Sequence, residues 1–115
     1  MKKYENTPLA ERERNAIDTA VRMLKKNYPV ETAILYGSKT RGDDDEHSDI
    51  DLLVITSRPL HWKEEKAIVE SLFDVGMEFD VIFSPLFVSN EEWEGGVFTT
   101  FPIYKEIMNN GALVA

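Results

Sequence analysis

The chain alternates between stretches of helical and of extended hydrophobic spacing. Ile17, Ala20, Val21 and Leu24 follow the i, i+3, i+4, i+7 rule of an amphipathic helix. Thr7-Pro8 predicts its start, with Pro8 at the first helical position, where a missing N–H costs least. Tyr28-Pro29 predicts its end. Ala33-Ile34-Leu35-Tyr36 reads as a short apolar strand stopped by Gly37-Ser38, and residues 39–48 as a polar loop with one helical turn near Ser38. Residues 49–56 predict a second strand, closed by Ser57-Arg58-Pro59. A helix over 60–75 carries Ile68, Leu72 and Val75 on one side, exposes Lys63, Glu64 and Glu70, and has Gly76 as its stop. A third strand is predicted over 78–83, ended by Ser84-Pro85. Ser89-Asn90-Glu91-Glu92 has capping-box spacing and predicts a short helix; after the loosening pair Gly95-Gly96, residues 102–109 predict a last one, with Gly111 past its end. The order α-β-β-α-β-α-α is that of a small α/β domain.

Composition narrows the class. A length of 115 residues predicts a single domain over 1–115, and 43% hydrophobic with 30% charged residues marks a globular chain. No apolar run exceeds four residues (Leu52-Leu53-Val54-Ile55 is one), so no membrane span is expected. No apolar segment follows Met1-Lys2-Lys3, and the expected setting is cytoplasmic. The absence of cysteine excludes disulfides, thiolate catalysis and cysteine-ligated zinc. Of the net charge of −8, much comes from Asp43, Asp44, Asp45, Glu46, Asp49 and Asp51; the other acids nearly balance the bases. A chain that grips nucleic acid by charge should be basic, so direct nucleic-acid binding is disfavoured and a local site is indicated.

That site is predicted around Tyr36-Gly37-Ser38-Lys39-Thr40-Arg41-Gly42 and Ser48-Asp49-Ile50-Asp51-Leu52. Strand side chains alternate, so Asp49 and Asp51 share one face while Ile50, Leu52 and Val54 take the other. Two carboxylates that close repel unless a cation intervenes, and oxygen-only ligands point to magnesium or manganese. Asp80, within an otherwise apolar run, would join them if its strand lay beside the second one, giving the three carboxylates of a two-metal phosphoryl-transfer centre. Gly37 lets backbone approach a phosphate, Ser38 adds a hydroxyl, and Arg41 or Lys39 can neutralise charge. For these parts to meet, the first two strands must run antiparallel and the third parallel to the second, with the 60–75 helix as crossover. The predicted fold is therefore a mixed β-sheet of three or more strands flanked by helices.

Gly37-Ser38-x-x-Arg41-Gly42 followed by Ser48-Asp49-Ile50-Asp51-Leu52 resembles the signature of the minimal nucleotidyltransferases, in the DNA polymerase β-type superfamily. The resemblance covers about residues 31–83 and implies the nucleotidyltransferase fold. It also implies transfer of a nucleoside monophosphate, AMP from ATP first of all, to an acceptor hydroxyl. Asp49 and Asp51 would then hold both of two Mg2+ (or Mn2+) ions, and Asp80 would hold one and help activate the acceptor. Gly37, Ser38, Arg41 and Ser48 would bind the nucleotide. Family members of this size resemble antitoxin partners of HEPN-domain toxins, some of which adenylylate the toxin. A short chain has little room for an acceptor domain, which suggests that a partner protein or another copy supplies it.

Plainer readings stand beside these. Asp49 and Asp51 can be a solvated strand edge, Asp80 a strand-edge acid, and Arg41 a surface ion-pair partner. The acidic run 43–46 fits a solvated loop, His47 and His61 fit ordinary surface residues, and Trp62, Trp93 and Phe101 fit core or interface aromatics. Two other functions compete: a catalytically silent subunit that neutralises its partner by contact, and a stand-alone enzyme acting on a small molecule.

Overall fold

The computed structural model describes residues 1–42 and 48–115; the acidic run 43–46 and His47 lie outside the described residues. In chain order the elements are β1 (Lys2–Lys3), α1 (Glu11–Asn27), β2 (Val30–Tyr36), α2 (Ser38–Arg41), β3 (Ile50–Thr56), α3 (Trp62–Phe79), β4 (Phe83–Ser89), α4 (Asn90–Gly95), α5 (Pro102–Asn110) and β5 (Ala112–Leu113), with 3-10 turns at Tyr4–Asn6 and Val97–Thr100. The sheet order is β1-β5-β2-β3-β4. β2 pairs antiparallel with β3, and β3 parallel with β4 through the α3 crossover, the directions expected from the sequence.

Both faces of β3 are covered. Leu52 and Val54 face α1 and α3, where Ile17, Leu24, Leu35 and Ile68 complete an aliphatic core. Leu53 and Ile55 face the other layer, with Ile34, Phe98 and Ile107 and, at its margin, Trp93 and Tyr104. Each fully buried aliphatic side chain contributes about 1.5–3 kcal/mol, so the centre of β3 is the firmest part of the molecule. Among the described residues no helix is long and apolar enough to cross a membrane.

Three boundaries differ from expectation. Helix α1 begins at Glu11, because Thr7 is buried and its hydroxyl is spent on the Tyr4 carbonyl at 2.6 Å; the Glu13 carboxylate instead accepts from Ala10 N–H at 2.9 Å. Gly76 lies within α3 and does not end it. Phe79 packs against the core in the buried series Ile68, Leu72 and Val75, and the helix closes only at Asp80 in the left-handed conformation (φ 57°), with Val81 N–H returning to the Gly76 carbonyl at 3.0 Å. A Cβ at residue 76 would meet the Val81 carbonyl, which is the close approach the glycine permits. The third strand consequently lies at Phe83–Ser89 and not over 78–83. Pro85 sits inside it at the sheet edge, where a missing N–H is tolerated. The short helices at 90–95 and 102–110 and the Ser89 cap match the sequence reading; Ser89 Oγ accepts from Glu92 N–H at 3.2 Å.

Candidate active site at the end of the central strands

The antiparallel register sets Tyr36 opposite Asp51, so the glycine turn leaving β2 meets the carboxylate entering β3. Gly37 adopts φ 81°, ψ −152°, and a Cβ there would overlap Asp51 Oδ2; only glycine supplies both the backbone and the space. Its carbonyl accepts from Thr40 N–H (3.1 Å), Arg41 N–H (3.3 Å) and Thr40 Oγ1 (2.9 Å), which winds the turn into α2. Lys2 Nζ donates to the Thr40 carbonyl at 2.8 Å. Lys39, 1% exposed, forms a salt bridge with buried Glu13 of α1. It therefore anchors the turn from behind; the expectation that Lys39 neutralises substrate charge is corrected.

In front of the turn lies an open cleft of about 560 Å³ lined by Tyr36, Gly37, Ser38, Arg41, Asp51 and, from α5, Pro102, Ile103 and Glu106. Arg41 spans it, with Nη1 3.1 Å from Glu106 Oε1. Asn110 Nδ2 supports the other oxygen at 3.3 Å. Asp49 is exposed beside the cleft, and its Oδ2 accepts from Ser84 Oγ at 3.3 Å. Burial first, then the charge of Asp49, pushes the Asp51 carboxyl above its usual value, with Arg41 opposing. Burial and the Asp51 charge push the Tyr36 phenol up to about 12.

The structure thus brings Gly37, Ser38, Arg41 and Asp51 to one cleft, with Asp49 at its side. Asp80 does not join them. It caps α3 and, with Ser48, lines a second cavity between α3 and the start of β4. The sequence error was the strand boundary: a left-handed cap was read as a strand residue. The β4 residue in register with Asp51 is Ser84, whose hydroxyl hydrogen-bonds Asp49. Ser84, Tyr36 and Glu106 went unassigned at the sequence level. Tyr36 could have been found from strand alternation beside Asp51, whereas Glu106 depends on how α5 docks. His61 acts as a helix cap, its Nδ1 accepting from Lys63 N–H at 3.1 Å.

Asp49 and Asp51 suit a hard divalent cation that completes its shell with phosphate oxygens, and such a cation would offset the burial and the Asp49 charge that together raise Asp51. Among the described residues no cluster of three His, Cys, Asp or Glu side chains assembles, so the expected third carboxylate is not found there.

Residues 18–91 match the family described as Polymerase beta, Nucleotidyltransferase. The chain belongs to this nucleotidyltransferase family. It is 33% identical over 57 residues to a Methanocaldococcus jannaschii protein named "Putative protein adenylyltransferase MJ0141", a match covering 50% of this chain and 58% of that one. The chain thus matches little more than half the length of that relative. Among solved structures, a mutant of the toxin-antitoxin MntA-HpeT aligns with a TM-score of 0.57 at 19% identity, covering 86% of this chain and 71% of the other. A toxin-antitoxin solved with AMP-PNP aligns at 0.59 and 18% identity, covering 92% and 73%. These likenesses establish the nucleotidyltransferase fold, and the five-stranded mixed sheet flanked by helices is its form in this chain. The Gly37-Ser38 turn and Asp49-Ile50-Asp51 lie inside the family match.

Proposed function

We propose that this nucleotidyltransferase moves AMP from ATP to a hydroxyl of a partner protein, a HEPN-domain toxin being the partner class we put forward, in the cytoplasm. The observation that carries the reading is the Tyr36–Asp51 register, which sets the turn at Gly37-Ser38 against the Asp51 carboxylate. The relative named as a protein adenylyltransferase and the toxin-antitoxin folds, one of them with AMP-PNP, support it.

In this reading Gly37 and Ser38 hold the outer phosphates, and Arg41 turns from Glu106 toward their charge. Asp49 and Asp51 hold the divalent cation, magnesium first of all. When bound, that cation would neutralise the triphosphate and orient its α-phosphorus. The acceptor hydroxyl gives up its proton to water as its oxygen bonds that phosphorus and pyrophosphate leaves. Asp80 has no part in this arrangement, because it lies at the α3 cap. The open cleft leaves room for an acceptor delivered by another chain.

The test is transfer from α-labelled ATP, with magnesium, to the product of the adjacent gene. Label on that protein, lost in Asp49→Asn/Asp51→Asn, supports the proposal. A stable complex with no label from any nucleoside triphosphate would favour neutralisation by contact. Label on small hydroxylated compounds without a partner would favour a stand-alone enzyme.

A further inference from the structure

The outer face of α3 repeats one pattern three times: Val69-Glu70, Phe73-Asp74, Met77-Glu78. The i, i+4, i+8 spacing places the apolar members in one stripe and the acids in a second stripe beside it. All six side chains are exposed, Phe73 at 66% and Met77 at 70%. Ile82, 65% exposed, extends the apolar stripe past the helix end. The stripe borders a groove of about 780 Å³ between α3, the start of β4 and Arg12 and Glu13 of α1. Among the described residues Asp74 and Glu78 have no ion-pair partner, and Glu70 has only Lys66 at 4.0 Å. Large exposed apolar side chains in a contiguous row, rimmed by charge, are the usual mark of an interaction surface.

We infer that this face docks an amphipathic helix of another protein, whose apolar side chains enter the groove while lysines or arginines meet Glu70, Asp74 and Glu78. Anchors four residues apart are what a helix laid in a groove reads. The acidic stripe decides the sign of the partner. A second copy fits poorly. The apolar residues of α1 (Ile17, Ala20, Val21, Leu24) are already buried, so its basic residues flank no free stripe. Two α3 helices packed antiparallel about this face would also crowd Glu70 and Asp74 of both copies near the two-fold axis. The inference does not rest on the transfer chemistry, since this groove and the Asp51 cleft share no lining residue.

Fluorescence anisotropy on the full chain tests it, using a labelled amphipathic peptide of roughly 18 residues, long enough to hold a helix. One peptide carries leucine anchors flanked by lysine, and a matched one carries glutamate instead. The lysine peptide should bind at least about tenfold more tightly, and Glu70→Lys/Asp74→Lys/Glu78→Lys should reverse the preference. Phe73→Ser, which leaves the charge unchanged, should weaken binding about tenfold, the scale of one central anchor. Sedimentation should show a monomer. Binding indifferent to Phe73→Ser, equal affinity for both peptides, or a dimer abolished by Phe73→Ser would each overturn the inference.

Discussion

Behind the glycine turn, Lys39 is sealed against Glu13 of α1; in front of it, two residues along the same short helix, Arg41 reaches across an open cleft to Glu106 of α5. Both are base–acid contacts. The first is buried and fixes the turn in place. The second is about two-fifths exposed on each side, so water screens it and a phosphate can displace it. Burial therefore separates a structural cation from the one we propose meets the nucleotide. It also separates two carboxylates, since Asp51 lies half-buried against Gly37 while Asp49 stays exposed.

The largest effects should come from the front. Asp49→Asn and Asp51→Asn should each lower transfer about a thousandfold or more, measured with labelled nucleotide, as expected for loss of charge at a phosphoryl-transfer centre. Their stabilities should differ. The folded Asp51 carboxyl titrates above its ordinary value, so ionising it costs the folded state stability as pH rises through that window. Asp51→Asn should therefore melt higher than the parent at neutral pH, and its advantage should shrink on acidification. Equal melting at all pH values would remove the contrast between the two carboxylates.

Next in size is the back of the turn. Lys39→Met leaves Glu13 buried without its cation and should destabilise by about 3–5 kcal/mol in denaturant unfolding. Adding Glu13→Gln, which keeps an acceptor for Ala10 N–H, should restore much of it. Arg41→Ala should change stability by no more than about 0.5 kcal/mol yet raise KM for the nucleotide about tenfold. If Arg41→Ala unfolds the protein as Lys39→Met does, the two sides of the turn are not distinct. The smallest effect belongs to Asp80→Gly. It relieves a positive φ, so stability should stay within about 1 kcal/mol of the parent, on the stabilising side, with transfer unchanged.

How far the chain could be read follows the range of the interactions. The antiparallel pairing was legible, because the glycine turn, Asp49 and Asp51 had to meet; the parallel pairing was reached through Asp80, which does not join them, and stands instead on the α3 crossover that a parallel pair needs. Helix α3 was legible in its middle but not at its end. Phe79 continues its buried series, and Gly76, read as a stop, instead admits the returning chain. That boundary moved Asp80 off the sheet and put Ser84 in register with Asp51. The two-residue strands β1 and β5 carry no periodicity, and they form only because each finds a neighbour. Glu106 and the burial of Lys39 are tertiary facts with no local signal.

The central claim, that Gly37-Ser38 and the two strand aspartates form the nucleotide site, is tested most directly by calorimetric titration of the full chain with AMP-PNP and magnesium. The account predicts magnesium-dependent binding by the parent chain and by Asp80→Asn, and its loss in Asp51→Asn. Binding that survives in Asp51→Asn but disappears in Asp80→Asn would contradict it.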